Sequence, residues 1–297
     1  MHVICKRKEE MKGKTYAKWY SGEETYLDRA GAIPFLRFVV CQKFPWMDLA
    51  FSTKLGGVSE GVLSSLNLGW DRGEKRENVC ENYKRVCAAL GIDYRKLVLS
   101  DQVHDKKVLY VDETYCAGKD IVKKLKGVDG LMTDLPGLVL ATSYADCVPL
   151  FFIDTRTHLI ASSHSGWKGT VSKIGQETIR AMQARGSKPE DILVIIGPSI
   201  CQDCYEVSED VAEQFQSVYG TVCCREILQE GRMTPEGEQK YQLDLWAANW
   251  YQLTEAGIPP QNIHVSGVCT CCNHELLYSH RFTQGRRGNL NGFLFLT

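Results

Sequence analysis

Between residues 138 and 164 three runs rich in Val, Leu, Ile and Phe, LVLATSY, VPLFFID and HLIASSH, follow one another with only short breaks. Branched and aromatic residues at this density form strands, and runs with so few polar positions suit the buried middle of a sheet. The breaks carry chemistry. Asp146 and Cys147 stand between the first two runs, and His164 ends the third, just before a turn bracketed by Gly166 and Gly169.

The rest of the chain alternates the two periodicities. ENVCENYKRVCAALGI places Val79, Tyr83, Val86, Cys87 and Leu90 on one helical face, with Gly91 as the stop. Further helices are expected in TVSKIGQETIRAMQARG, bounded by Gly169 and Gly186, in SEDVAEQFQSVYG, opened by Ser208 and acids, and in LDLWAANWYQLTEAG. KLVLSDQVH reads as a strand ending at His104; FLRFVVC, KKVLYVD, DILVIIGPSI, NIHVSGVC and GFLFL read as strands, and TYLDRAG as a turn. Strands and helices mixed in this way argue for a layered α/β fold and against a helical bundle or a β-sandwich. No repeat or low-complexity linker divides the 297 residues, so one domain is expected over 1–297.

Composition excludes several classes of function. With 44% hydrophobic and 24% charged residues the chain is ordinary for a soluble globular protein, and a formal net charge of -1 offers no basic excess for nucleic acid or acidic membranes. KRK at 6–8 and GRRG at 285–288 read as solvated surface charge. The N-terminus lacks the pattern of an export signal and no apolar run is long enough to cross a bilayer, so a cytoplasmic location is expected. The thirteen cysteines are an odd number at low density. In a reducing compartment they are expected to be mostly thiols, with a few available to metal.

His104, Cys147 and His164 each close an apolar strand-like run. Two neutral imidazoles and a thiolate suit Zn²⁺, and three protein ligands leave a fourth position for water or substrate. Two other readings stay open: a pair of core histidines beside a buried thiol, and a Cys nucleophile with a His base. Cys201 and Cys204 have redox or zinc spacing, and Cys269, Cys271 and Cys272 would complete a four-thiolate site with them. No thioredoxin-like context surrounds the pair, so thiols without a metal are the expected reading there. GGVSEG lacks phosphate-loop spacing.

Taken in order, FSTKLGGVSEG, SSLNLG, DQVH, GVDGLMTDLPGLVLATSYADCVPLFFID, SHSGWKG, GPSICQDCYEV, CTCCNHELLYSHR and RGNLNGFLFL resemble the laccase-domain (YfiH-type) family. That family was labelled polyphenol oxidase and is now regarded as zinc-dependent purine nucleoside phosphorylases with adenosine deaminase activity. The resemblance runs from about residue 30 to the C-terminus, which leaves 1–30 as an N-terminal extension. It implies a single-domain α/β/α layered sandwich with a mixed sheet, and zinc held by His104, Cys147 and His164, which match the family's QVH, ADC and HSGW. It also implies purine nucleosides (adenosine, inosine, guanosine or methylthioadenosine) and inorganic phosphate as substrates of a monomer or homodimer.

The chain departs from the family's commoner pattern in carrying Lys54 and Lys168 where many relatives have arginine, and SHRF where many have SYRR. Lysine keeps the charge but loses the bidentate fork. Lys54, Lys168 and Arg281 are the expected substrate contacts, with surface ion pairs as the plainer account of each. Asp146 is expected to orient a neighbouring ligand or loop. Two other functions remain: a copper-dependent polyphenol oxidase, for which seven histidines make a poor multi-site ligand set, and a peptidoglycan-editing role.

Overall fold

The computed structural model describes residues 24–297; the KRK cluster and most of the expected N-terminal extension lie outside the described residues. Two mixed sheets dominate. The larger has the strand order Thr25–Asp28, Phe35–Phe38, Met47–Ser52, Leu290–Leu296, Val139–Tyr144, Leu97–Asp101 and Leu125–Lys126. The second runs Ile263–Val265, Ile192–Ile196, Val148–Asp154, Ile160–Ser165, Gly130–Thr133 and Val108–Tyr110. Most neighbours are antiparallel, but Leu97–Asp101 lies parallel to Val139–Tyr144, and Ile192–Ile196 parallel to Ile263–Val265.

Alternation along single strands shows how the layers stack. In Val148–Asp154, Phe151 and Ile153 join a core shared with Leu140 and Leu294 of the larger sheet, whereas Val148, Leu150 and Phe152 face helices. In Leu290–Leu296, Leu290 and Leu294 face that shared core, and Phe293 and Phe295 pack on the helix Arg76–Leu90 through Val79, Tyr83 and Val86. The two sheets therefore lie face to face. A Cβ on Gly292 would stand 2.4 Å from the Phe151 ring, so glycine is needed there for the sheets to meet.

Helices cover both outer faces: Arg76–Leu90 on the larger sheet, and Ile174–Gln183, Glu209–Ile227 and Leu245–Glu255 on the second. The layered α/β class and the mixed strand directions are as expected, but the middle layer is two packed sheets where one was expected. Runs buried on both faces do not reveal whether the covering layer is a helix or another sheet.

Several local readings differ. TYLDRAG holds the strand Thr25–Asp28. Gly169 lies inside a short helix, Trp167–Val171, and left-handed Lys173 (φ 58°) separates it from Ile174–Gln183. Ser208 stands at the N-cap, yet its hydroxyl bonds the Asp210 carboxylate and no backbone amide. The hairpin Leu228–Met233 with Gln239–Leu243, which pairs with Glu206–Ser208 as a third sheet, was not foreseen. Among the described residues no helix is long and apolar enough to cross a membrane.

Candidate metal centre

Three strands of the larger sheet, ending at Asp101, Lys126 and Tyr144, run in the same direction. After each the chain crosses to the second sheet, to Val108, Gly130 and Val148 respectively. The three crossings therefore meet at one end of the double sheet. They carry His104, Asp129 and Cys147, while His164 arrives on Ile160–Ser165. His104 (φ 65°) and Asp146 (φ 83°) adopt the left-handed conformation to make these turns. That conformation costs a non-glycine residue about 1–3 kcal/mol and is concentrated at functional sites.

The ligand atoms of His104, Cys147 and His164 all lie within 4.8 Å of one another. Cys147 Sγ is 3.9 Å from His104 Nε2, and two such atoms on one tetrahedral zinc stand about 3.5–3.8 Å apart. The three form a gradient of access: His164 is buried, Cys147 half-buried and His104 exposed. The donor set fits zinc, with the solvent side left for a fourth ligand. Gly166 allows the approach, since a Cβ there would lie 2.9 Å from His104 Cδ2 and 3.1 Å from Cys147 Sγ.

Asp129, which the sequence reading did not single out, holds two of the three in place. It is fully buried. One oxygen accepts from the amides of Val103 (3.0 Å) and Asp105 (3.1 Å); the other accepts from the His104 amide at 3.0 Å and lies 2.9 Å from His164 Nδ1. Burial alone would raise its pKa, but the hydrogen bond and charge of His164 and the two backbone donors hold it below the usual carboxylate range. A carboxylate on Nδ1 leaves His164 Nε2 as the ligand atom. Asp146 orients a loop, as expected of it. Its carboxylate accepts from Thr270 Oγ1 and from the Arg281 amide, each at 2.6 Å, and its carbonyl accepts from the Ile200 amide at 3.0 Å.

Without a metal the centre is a thiolate–imidazolium pair. Burial alone would raise the Cys147 thiol, but the charge of His164 and hydrogen bonds from both histidines outweigh it and bring the pKa down to about 6. Burial would lower His164, but the Cys147 charge and the bond to Asp129 raise it to about 9. Metal-stripped protein is therefore expected to alkylate at Cys147 at neutral pH. Cys41 and Cys87, whose thiols burial pushes up to about 12, should lag far behind. Added zinc should protect Cys147. Peptide mapping by mass spectrometry reads this; labelling of Cys147 no faster than of Cys41 would contradict the pair.

The centre opens into a cavity of about 130 Å³ lined in part by Arg72, Lys123, Tyr144 and Arg287. That is room for several waters or an oxyanion. Arg287 sits in the GRRG cluster read as solvated charge, yet only Arg286 is exposed; Arg287 is 9% exposed, and its Nε has no hydrogen-bond partner. Burial and the neighbouring charge of Arg72 push its pKa down to about 10. The three cations expected to contact substrate lie elsewhere. Lys54 Nζ donates to the His274 carbonyl at 2.7 Å, exposed Lys168 lies 5.5 Å from the Trp167 ring centroid, and the Arg281 guanidinium lies 5.1 Å from that of Tyr205. None of the three lines the cavity.

The family model described as multi-copper polyphenol oxidoreductase laccase matches residues 48–297. The chain is 35% identical over 247 residues to purine nucleoside phosphorylase YlmD of Bacillus subtilis, covering 82% of this chain and 86% of that protein. It is 36% identical over 236 residues to adenosine deaminase RL5 of an unknown prokaryotic organism, covering 78% and 87%. The crystal structure of the hypothetical protein YfiH of Bacillus licheniformis superposes with a TM-score of 0.83 at 32% identity, covering 91% of this chain and 99% of that one. A family match over most of the chain that takes in every residue of the centre leaves one conclusion: the chain belongs to the multi-copper polyphenol oxidoreductase laccase family, the YfiH-type laccase-domain proteins.

Proposed function

We propose that the protein is a zinc-dependent enzyme of purine nucleosides, which cleaves adenosine, inosine or guanosine with inorganic phosphate to free base and ribose 1-phosphate and also deaminates adenosine. The observation that carries this reading is the meeting of His104, Cys147 and His164 in a cavity that also presents Arg72, Lys123 and Arg287. The names of the matched relatives support it. A reducing compartment such as the cytoplasm suits its thiols.

When bound, zinc supplies Lewis-acid stabilisation of a developing negative charge. The remaining work falls to the chain. Asp129 fixes the His164 tautomer and, through three backbone amides, the turn that presents His104. Arg287 lines the cavity with a desolvated guanidinium, which strengthens its attraction for an anion such as phosphate. Lys123 contributes less, because Asp71 and Asp101 each stand 3.6 Å from its Nζ. The oxidase reading would need further copper sites. Among the described residues, His158 stacks on Trp46, His264 bonds Glu24 and His274 stacks on Phe282, so these histidines are engaged elsewhere.

The deciding experiment gives purified, zinc-assayed protein each nucleoside with and without phosphate and resolves the products by chromatography. Adenosine alone should yield inosine, and phosphate should add free base and ribose 1-phosphate. Absence of base release at any phosphate concentration, with phenol oxidation on adding copper, would transfer the reading to the oxidase. Arg287→Ala is expected to raise KM for phosphate about 10–100-fold, the loss of one hydrogen bond to a charged group, and to leave deamination nearly unchanged. Equal damage to both activities would refute the phosphate contact.

A further inference from the structure

Cys201, Cys204, Cys269 and Cys272, for which thiols without a metal were expected, bring their four sulfurs within 4.8 Å of one another. The two pairs share a Cys-x-x-Cys spacing, 201–204 and 269–272, although 64 residues separate Cys204 from Cys269. Two such pairs meeting from distant segments is the pattern of a structural zinc site. The Cys204 and Cys272 sulfurs lie 3.5 Å apart. Two thiolates on one tetrahedral zinc stand about 3.8 Å apart from the Zn–S bond length, while a disulfide needs about 2.05 Å.

The backbone around the cluster favours thiolates. Cys269 Sγ accepts from the amides of Cys201 at 3.3 Å and Cys272 at 3.4 Å, one from each Cys-x-x-Cys turn. Such donors offset the charge that four thiolates leave on a zinc centre and hold the ligands in direction. Ser199 and Cys269 form a parallel bridge that keeps the two segments together.

We infer that Cys201, Cys204, Cys269 and Cys272 bind a second zinc ion, a closed structural site distinct from the His104–Cys147–His164 centre. Binding would displace a proton from each thiol that still carries one. Its position gives the site a second consequence. Ile200 and Thr270, the immediate neighbours of Cys201 and Cys269, are two of the three residues that bond Asp146, so the clamp helps to brace the turn that carries Cys147.

The test uses full-length Cys147→Ala protein, which lacks one ligand of the other centre. Elemental analysis should find about one zinc per chain, with an all-sulfur shell at about 2.3 Å by X-ray absorption. Stripping that zinc should lower the thermal midpoint by several degrees, as expected when a stabilising ligand is removed. Zinc-free Cys147→Ala protein, a residual zinc with nitrogen in its shell, or a quantitative Cys204–Cys272 disulfide in protein isolated without reductant would overturn the inference. Wild type should hold about one zinc more than Cys147→Ala. If both hold the same single all-sulfur zinc, the His-Cys-His centre fails and the thiolate site stands.

Discussion

Cys147→Ala protein is expected to lose both of the proposed nucleoside activities by about a thousandfold or more while keeping its fold. The thiolate is the one anionic donor in the centre, and without it two imidazoles, one of them exposed, hold zinc poorly. A metal that stabilises transition-state charge contributes several kcal/mol, and about 1.36 kcal/mol corresponds to each tenfold in rate. Side-chain loss at this half-buried turn leaves the apolar cores untouched. Circular dichroism and a thermal melt check the fold, and zinc content and product chromatography check the site. His104→Ala and His164→Ala should behave alike in activity. Full activity in Cys147→Ala would remove the centre from the reaction.

Asp129→Asn is expected to be the most damaging change outside His104, Cys147 and His164. The carboxylate accepts four hydrogen bonds on two oxygens, two on each. Whichever oxygen becomes the amide nitrogen, two N–H groups then face a donor in a fully buried place. Each buried donor left unsatisfied costs about 1–3 kcal/mol, so a loss of roughly 2–6 kcal/mol in denaturant unfolding is expected. Zinc affinity should fall about 10–100-fold, the usual effect of removing the group that orients a metal-bound histidine. Competition with a chelator measures it. If stability falls while zinc affinity holds, Asp129 only secures the crossing turns; if both hold, the hydrogen bonds matter to neither.

The grouping of His104, Cys147 and His164 was legible in the sequence, and what supports it was obscure. His104, Cys147 and His164 interrupt apolar runs, and that is visible in one dimension because a polar residue at a strand end breaks a short-range pattern. Asp129 breaks no pattern: it sits in a glycine-flanked turn, GVDG, where an acid is ordinary. Arg287 resembled its exposed neighbour Arg286, since charge in sequence carries no burial. Lys54, Lys168 and Arg281 were chosen for charge within a motif, and the structure turns their side chains to a carbonyl and two rings.

By itself the sequence determined the elements with a local cause. The helix Arg76–Leu90 follows from its apolar face and from Gly91, whose φ of 69° closes it, and the strands Val139–Tyr144 and Val148–Asp154 follow from dense branched and aromatic residues. Only the tertiary structure decided that these two strands belong to different sheets and that three crossings between the sheets share one end. It also decided that four cysteines from two distant turns meet. Periodicity reports which faces are buried; what buries them is set by packing between segments far apart in the chain, and no local pattern encodes that choice.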